Sequence, residues 1–392
     1  MRDVVIAGTG MTPFRRAPGT GLRALATAAS DEALKDAGVT ADVVERVYFG
    51  NAVAATVTQQ DMIKGQVAFR RSDLAGLPMI NVENACASGS SALQMAVETV
   101  SAGHAEVVLA VGAEQLTSPD KVRSFKALRG STDITEIGEA GPDEDWTKSI
   151  LMDFYSDEAR QFLERNGADV EDFALVAVKN RRHAELNPLA QFTTPQTVED
   201  VLNARVIVPP LTLPMCSPLS DGAAAALVCS AEYARTRLAD AEVLAVRGCA
   251  MRGGRADPPV TEATRAVYEI AGVGVDEMGL IELHDAAAPA ELIQYGEIGL
   301  CAPGEEHLLI RRGDTALGGR TPVNTSGGLI SRGHALGATG LAQIAELATQ
   351  LRGRAGSRQV GGTPRLGLAV NNGGWMGGGY AVTVATVLEA LR

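Results

Sequence analysis

Apolar residues along this chain fall into short unbroken runs that alternate with stretches of helical spacing. Residues 3–8 carry the run Val4-Val5-Ile6-Ala7, which reads as a buried strand. Residues 21–37 place their apolar positions on one face of an amphipathic helix that ends at Gly38. A strand within 43–49, a helix over 61–72 and a strand over 79–83 follow, and the last runs into a helix that begins after Cys86 and ends near Gly103. Residues 107–112 return to strand. Strands and helices alternating with short links predict an α/β protein with a parallel or mixed sheet covered on both faces.

The second half repeats this order. Residues 243–247 resemble the opening strand and 261–271 form a helix. Ala37-Gly38-Val39 then matches Ala271-Gly272-Val273, and Asp42 matches Asp276, without a gap. The strand 47–49 matches 281–283, with His284 following where the first half has Gly50. Residues 365–370 read as the last core strand, ahead of Asn371-Asn372-Gly373-Gly374. Two halves of similar topology predict a pseudo-twofold molecule with its site at the junction. Residues 113–242 interrupt the repeat with the basic residues Lys121, Arg123, Lys126 and Arg129, an acidic run over 136–145, and helices around 152–166 and 171–185. The segment closes on Ser220-Asp221-Gly222 and a small apolar run over 223–228. The chain thus divides into 1–116, an inserted loop domain over the site at 117–242, and 243–392. The basic residues of the insertion are either a solvated face or a cradle for a phosphorylated cofactor.

Within the repeat, one pair of segments carries chemistry. Residues 86–93 (CASGSSAL) overlay 334–341 (HALGATGL), with Cys86 on His334, Gly89 on Gly337 and Ser91 on Thr339. A helix pattern follows both: Leu93, Ala96, Val97 and Val100 in one copy, Leu341, Ile344, Ala345 and Ala348 in the other. One supersecondary unit therefore opens on a cysteine in one copy and on a histidine in the other. The unpaired N–H groups of a helix N-terminus favour a thiolate and disfavour imidazolium. Cys86 is accordingly expected to have a lowered pKa, and His334 to stay neutral and usable as a base. If the helices meet head to head, thiol and base come together as in covalent acyl transfer.

Composition narrows the class. The chain has 392 residues, 46% hydrophobic, 4% aromatic, with 43 Gly and a formal charge of −12, which argues against nucleic acid or an anionic membrane as the main partner. Five scattered cysteines without a CxxC pair point to a reduced, cytoplasmic protein with no disulfide framework or zinc knuckle. No signal peptide or run of 18 apolar residues is seen. Gly8-Thr9-Gly10 lacks the third glycine of a dinucleotide fingerprint, and no Walker motif or metal-ligand cluster is legible. His104 reads as solvent-facing, His183 as structural, and Cys229 and Cys249 as core thiols.

With these residues in view, the chain resembles the thiolase superfamily, on its sterol-carrier/lipid-transfer-like branch. The motifs that carry the resemblance are NACASGSSA (84–92), KNRRHAELNPLAQF (179–192), SPLSDGAAAALV (217–228), ELHDAAAPAEL (282–292), NTSGGLISRGHALGATG (324–340) and NNGGWMGGG (371–379). The resemblance implies a thiolase fold: two pseudo-symmetric βαβαβαββ halves forming a five-layer αβαβα core with an inserted loop domain. It implies that Cys86 is the acylated nucleophile, that His334 activates it and helps bind the thioester oxygen, and that His284 holds an oxyanion-hole water. A second oxyanion hole would join the Cys86 N–H to one from the turn at Gly377, Gly378 and Gly379, and Ser217 would meet the pantetheine arm. Coenzyme A enters as substrate, with no bound cofactor and no metal.

The family pattern breaks at one place. Thiolases generally use a second cysteine for proton transfer at the α-carbon, in a C-x-G turn near the C-terminus or, in this branch, after the His-Asp pair. Here those positions read Trp375-Met376-Gly377 and Ala286. The implied activity is thiolase-type cleavage of a 3-oxoacyl-CoA with CoA, or the reverse Claisen condensation, on a bulky or aromatic chain with an acidic α-carbon. A retro-aldolase of steroid side-chain acyl-CoA, a catalytically reduced acyl-CoA-binding scaffold and a condensing enzyme with a non-CoA donor or phenol-like acceptor stay open. The resemblance also implies a homodimer, and a small OB-fold/zinc-ribbon partner protein in a hetero-oligomer.

Overall fold

The computed structural model describes residues 2–141, 144–239, 241–254 and 257–391, so the acidic run read at 136–145 lies partly outside the described residues, at 142–143. Its strands are β1 (Val4–Met11), β2 (Arg46–Gly50), β3 (Met79–Val82), β4 (Val107–Gln115), β5 (Val206–Val208), β6 (Leu211–Thr212), β7 (Asp221–Ser230), β8 (Leu244–Arg252), β9 (Leu280–Glu282), β10 (Leu366–Met376) and β11 (Gly379–Ala390). Among the described residues, nine of them form one sheet in the order β3-β2-β4-β7-β1-β8-β11-β10-β9, while β5 and β6 pair by themselves.

The repeat seen in the sequence is the symmetry of this order. Outward from the centre, β1-β7-β4-β2 is mirrored by β8-β11-β10-β9. In each half the second strand is antiparallel to both its neighbours, and the outer pair, β2–β4 or β9–β10, is parallel. β3 adds to β2 in parallel, and in the other half an isolated parallel bridge joins Ile281 to Val323 at the corresponding place. The halves join through the antiparallel pair β1–β8, at Val5–Ala245 and Ile6–Leu244.

Alternation along each strand builds the layers, because successive side chains point to opposite faces. Val5, Val107, Leu109 and Ala225 pack outward against Leu25, Ala29 and Ala33 of the Leu22–Asp36 helix. Val4, Ile6, Val108 and Ala226 point the other way, into a core shared with Leu93 and Ala96 of the Ser88–Ser101 helix and Leu341 and Ile344 of the Thr339–Leu351 helix. Ala369 and Leu388 of the second half enter that same core. Beyond the second half, Val260 and Val267 of the Pro259–Ala271 helix pack with Ile281, Val370 and Val387. With the sheet counted by its two halves, this is helix, half-sheet, helix pair, half-sheet, helix: the five layers that the resemblance implies. Leu93, Leu341 and Ile344 are buried at its centre. Truncating one of them to alanine costs about 2–5 kcal/mol through lost transfer energy and the cavity left behind.

The insertion differs from its expected extent at one end. Asp221–Ser230 falls inside 117–242 but is core strand β7, between β4 and β1, with all ten residues buried. Its small apolar run was read as the close of the insertion because alanines carry little strand signal. The helices Ile150–Asn166 and Val170–Glu185 of the insertion do not stand apart; Phe173, Val176 and Ala177 share a core with Leu292, Leu309 and Ile310. A capping box of Asp169 and Asp172 starts the second of these helices, and Arg311 holds Asp172 from the other side.

Candidate active site

Three segments converge at the junction of the halves. After β3, Glu83 accepts from the Ala85 N–H at 2.6 Å, and Ser88 Oγ accepts from the Asn84 N–H while donating to the Ala85 carbonyl. This holds Ala85 at φ 47°, an unfavourable value for a residue with a Cβ, and turns Cys86 out ahead of the Ser88–Ser101 helix. Gly373 on β10 lies against this turn; a Cβ there would collide with the Asn84 carbonyl and meet Ala87 Cβ at 2.8 Å. In the second copy, Gly333 at φ 112° leads into His334, whose N–H donates to Ser220 Oγ at 2.9 Å. The third segment follows β9, where Gln294 brackets His284 through its backbone N–H and carbonyl.

One ligating atom each from Cys86, His284 and His334 all lie within 4.8 Å of one another, and the two imidazole rings meet edge to face with centroids 5.2 Å apart. The hydrogen bonds give the two histidines opposite roles. Thr339 Oγ1 donates to the Ala335 carbonyl at 3.1 Å, so it accepts from His334 Nδ1–H at 2.7 Å and leaves Nε2 as a free base. At His284 the Asn371 amide, oriented with Oδ1 toward the Ser90 hydroxyl, donates to Nδ1 at 3.0 Å. His284 Nε2 therefore carries the proton and is a donor.

Both rings are neutral. Burial, aided by the Arg332 guanidinium, lowers His334 to about 3. Burial holds His284 well below the ordinary range, with His334 and Arg332 adding to it. For Cys86 the expectation is corrected: burial pushes the thiol up to about 12, and the negative charge of Glu114 adds to that. The helix N-terminus is present, but desolvation of a fully buried sulfur outweighs it. The resting pair is thiol and neutral imidazole, poised for proton transfer as the sulfur attacks.

Glu114 ties the two copies together. It accepts from Asn51 Nδ2 at 2.8 Å and from the N–H groups of Ala52 at 3.0 Å and Gly337 at 3.1 Å. On the other side of the site, Asp285 accepts from Leu329 N–H and Asn180 Nδ2, while Lys179 forms an ion pair with Glu291. The 179–192 motif thus clamps the loop that carries His284. Within that motif His183 bonds the Asn324 carbonyl and the Leu317 N–H, using both its nitrogens structurally. His104 is exposed.

A cavity of about 180 Å³ opens onto Cys86 and His334, with Ser217 in its wall. Gly377 and Gly378 are not brought there: they sit exposed at the β10–β11 turn, where the Gly377 N–H donates to Glu136. The glycines that reach the nucleophile turn are Gly373 and Gly374. Nor do the four basic residues of the insertion line the cavity; Arg129 pairs with Glu144 and Lys126 lies over the Trp146 ring. Lys148 and Arg205 line it instead. Sequence reasoning missed these two, with Tyr155, Thr339 and Asn371. Asn371 stood in a quoted motif without a role, and Thr339 in the repeat; the others carry no motif signal.

Among the described residues, Cys86, His284 and His334 are also the set of donors close enough to hold a metal ion, which the linear sequence hid. A metal bound there would tie up nucleophile, base and oxyanion donor together. No described helix is long and apolar enough to cross a membrane.

Residues 4–203 match the family model for the thiolase N-terminal domain, and 251–386 match the thiolase C-terminal domain-like model. The chain is 35% identical to benzoylsuccinyl-CoA thiolase subunit BbsB of Thauera aromatica, covering 95% of each chain. It is 35% identical to an acetyl-CoA acetyltransferase of Methanothermobacter thermautotrophicus, over 98% of this chain and 99% of that one. Sterol carrier protein 2 of Gallus gallus is 34% identical over 98% of this chain and 71% of its own. A solved Ltp2-ChsH2(DUF35) aldolase superposes with a TM-score of 0.79 at 27% identity, covering 100% of this chain and 98% of that one.

Proposed function

The chain belongs to the thiolase family, and from that premise we propose that it is an acyltransferase that cleaves a 3-oxoacyl-CoA with CoA, or runs the reverse condensation, through an acyl-Cys86 intermediate. The observation that carries this reading is the pair of histidines in opposite tautomers beside one thiol. His334 Nε2 takes the Cys86 proton as sulfur attacks the 3-keto carbon. His284 Nε2–H and the Cys86 N–H meet the negative charge that develops on the thioester and keto oxygens. The C2–C3 bond breaks, a shorter acyl-CoA departs, and CoA takes the acyl group from Cys86. No metal or bound cofactor is needed for these steps.

The acyl chain is bulky or aromatic. Phe125, Leu128, Met152 and Tyr155 make the cavity largely apolar, and a relative with similar coverage is named for benzoylsuccinyl-CoA. Poor turnover of acetoacetyl-CoA follows. Ser217 lies against the pantetheine arm, and residues 117–220 form the insertion over the site. The assembly is a homodimer joined by a small OB-fold/zinc-ribbon protein, in keeping with a relative named as a subunit and a similar structure titled with a DUF35 partner. The five free cysteines support a reduced, cytoplasmic setting.

Similarity to an aldolase favours a second reading, retro-aldol cleavage of an acyl-CoA with Cys86 unacylated. Intact mass after mixing with a panel of acyl-CoAs and 3-oxoacyl-CoAs separates the two. An adduct lost in Cys86→Ala and His334→Ala supports the acyl-enzyme. No adduct, even with the OB-fold protein added, overturns it.

A further inference from the structure

A thiolase-type cleavage generates an enolate that must be protonated at C2, yet neither position that carries a second cysteine in the family does so here: they hold Trp375 and Ala286. The cavity itself supplies the candidates. Lys148 is tied to Asp153 at 2.7 Å, and the planar fork of Arg205 suits a carboxylate or phosphate rather than a carbon centre. Cys216 lies in the wall, bridged to Ala287, but its sulfur turns to the Thr212 carbonyl at 3.5 Å. Tyr155 remains. It lines the same cavity as Cys86 and His334 while its ring is buried at 4% exposure.

Packing fixes Tyr155 in the wall of the cavity that holds Cys86. Its ring stands edge-on to Trp375, centroids 5.6 Å apart, directly against the residue that occupies the C-x-G position. Phe154 stacks on the same indole at 5.4 Å, so the second turn of the Ile150–Asn166 helix is clamped to the β10–β11 hairpin. Tyr380 fills the space between, 6.4 Å from Tyr155 and 6.1 Å from the His284 ring. Burial raises the Tyr155 hydroxyl well above the ordinary tyrosine range, and a hydrogen bond with Tyr380 works against that rise.

Resting on the acyl-enzyme reading, we propose that Tyr155 is the acid that protonates the departing enolate at C2, in place of the second thiolase cysteine. The step balances without a further reagent. The C2–C3 electron pair moves onto the enolate, which takes the Tyr155 hydroxyl proton at C2 and leaves as acyl-CoA. The phenolate recovers a proton from the thiol of incoming CoA as that sulfur attacks acyl-Cys86. When the tetrahedral intermediate collapses, Cys86 leaves as thiolate and takes back its own proton from His334. Burial keeps the Tyr155 phenol protonated at rest, and the hydrogen bond from Tyr380 favours the short-lived phenolate.

The test follows both half-reactions on the same samples with acetyl-CoA, hexanoyl-CoA and phenylacetyl-CoA: adduct mass on Cys86, and deuterium uptake at C2 in D₂O. Tyr155→Phe deletes only the hydroxyl and keeps the packing on Trp375. Because a CoA thiolate can leave without an acid whereas a C2 carbanion cannot form without a base, the expected result is an adduct formed within a few fold of wild type and C2 exchange slowed by about 10²-fold or more. Exchange within about threefold of wild type, loss of adduct and exchange together, or loss of exchange in Cys216→Ala instead would each overturn the assignment. A wild-type protein that forms no adduct removes the acyl-enzyme reading itself, and the assignment with it.

Discussion

Gly89 and Gly337 occupy the same place in the two copies of the repeat, and in the folded chain they face each other: a Cβ on Gly89 would lie 2.6 Å from the Gly337 carbonyl oxygen. A Cβ on Gly337 would lie 2.8 Å from Asn51 Cα and 3.0 Å from the Gly50 carbonyl. The two helix starts approach this closely because neither has a side chain at the crossing. Gly337→Ala should destabilise by about 1–3 kcal/mol through overpacking, and should also slow Cys86 acylation by moving His334. Urea unfolding together with adduct kinetics checks both; unchanged acylation would show that the contact does not set the site.

Asn371→Ala should lower acyl transfer about 10²–10³-fold with little change in substrate binding. It removes the amide that keeps the proton on His284 Nε2, so the oxyanion donor is lost while the nucleophile stays. Thr339→Val should act on the other ring, leaving His334 Nδ1–H without its acceptor. kcat and KM measured separately distinguish these from a folding defect.

Glu114 makes stability fall toward alkaline pH. Burial raises it from 4.5 to about 7 in the folded protein. A raised folded pKa means its contribution is complete below pH 4.5 and is lost as pH rises through 7, on the order of 3 kcal/mol. His334 runs the other way: lowered from 6.5 to about 3, its contribution is present above 6.5 and lost as pH falls toward 3. Unfolding free energy between pH 5 and 8 should decline for wild type and decline less for Glu114→Gln.

Zinc should inhibit. A Cys and two His donors within 4.8 Å match the ligand set of a three-ligand zinc site. Micromolar Zn²⁺ should block adduct formation and EDTA should restore it. His284→Asn should raise the inhibitory concentration, and equal sensitivity of that variant would place the metal elsewhere.

What could be read from the chain was whatever the duplication wrote twice. Cys86 and His334 stand at matched positions of one repeated segment, so their meeting followed from symmetry. The layers followed because strands such as Val4–Met11 alternate their faces. Burial was not legible: the helix start at Cys86 is a local feature, but the desolvation that pushes its thiol up is imposed by residues from both halves. Tyr155 gave no signal because its role depends on Trp375, far away in sequence, and no spacing encodes that contact. Gly377 and Gly378 misled for the opposite reason, since a family turn was carried over without the hydrogen bond to Glu136 that occupies it.

The junction of the two halves also sets a schedule. Cys86 precedes His334 by 334 − 86 = 248 positions. At about 5–20 residues per second, a ribosome therefore makes the nucleophile roughly 12–50 s before its base. Through that interval the Thr339–Leu351 helix that packs beside the nucleophile's helix does not exist, and the sulfur is an ordinary accessible thiol. Its protection from stray oxidants and electrophiles arrives only with about the last sixth of the polypeptide. A nascent chain stalled before residue 334 should be modified at Cys86 far faster than the released protein.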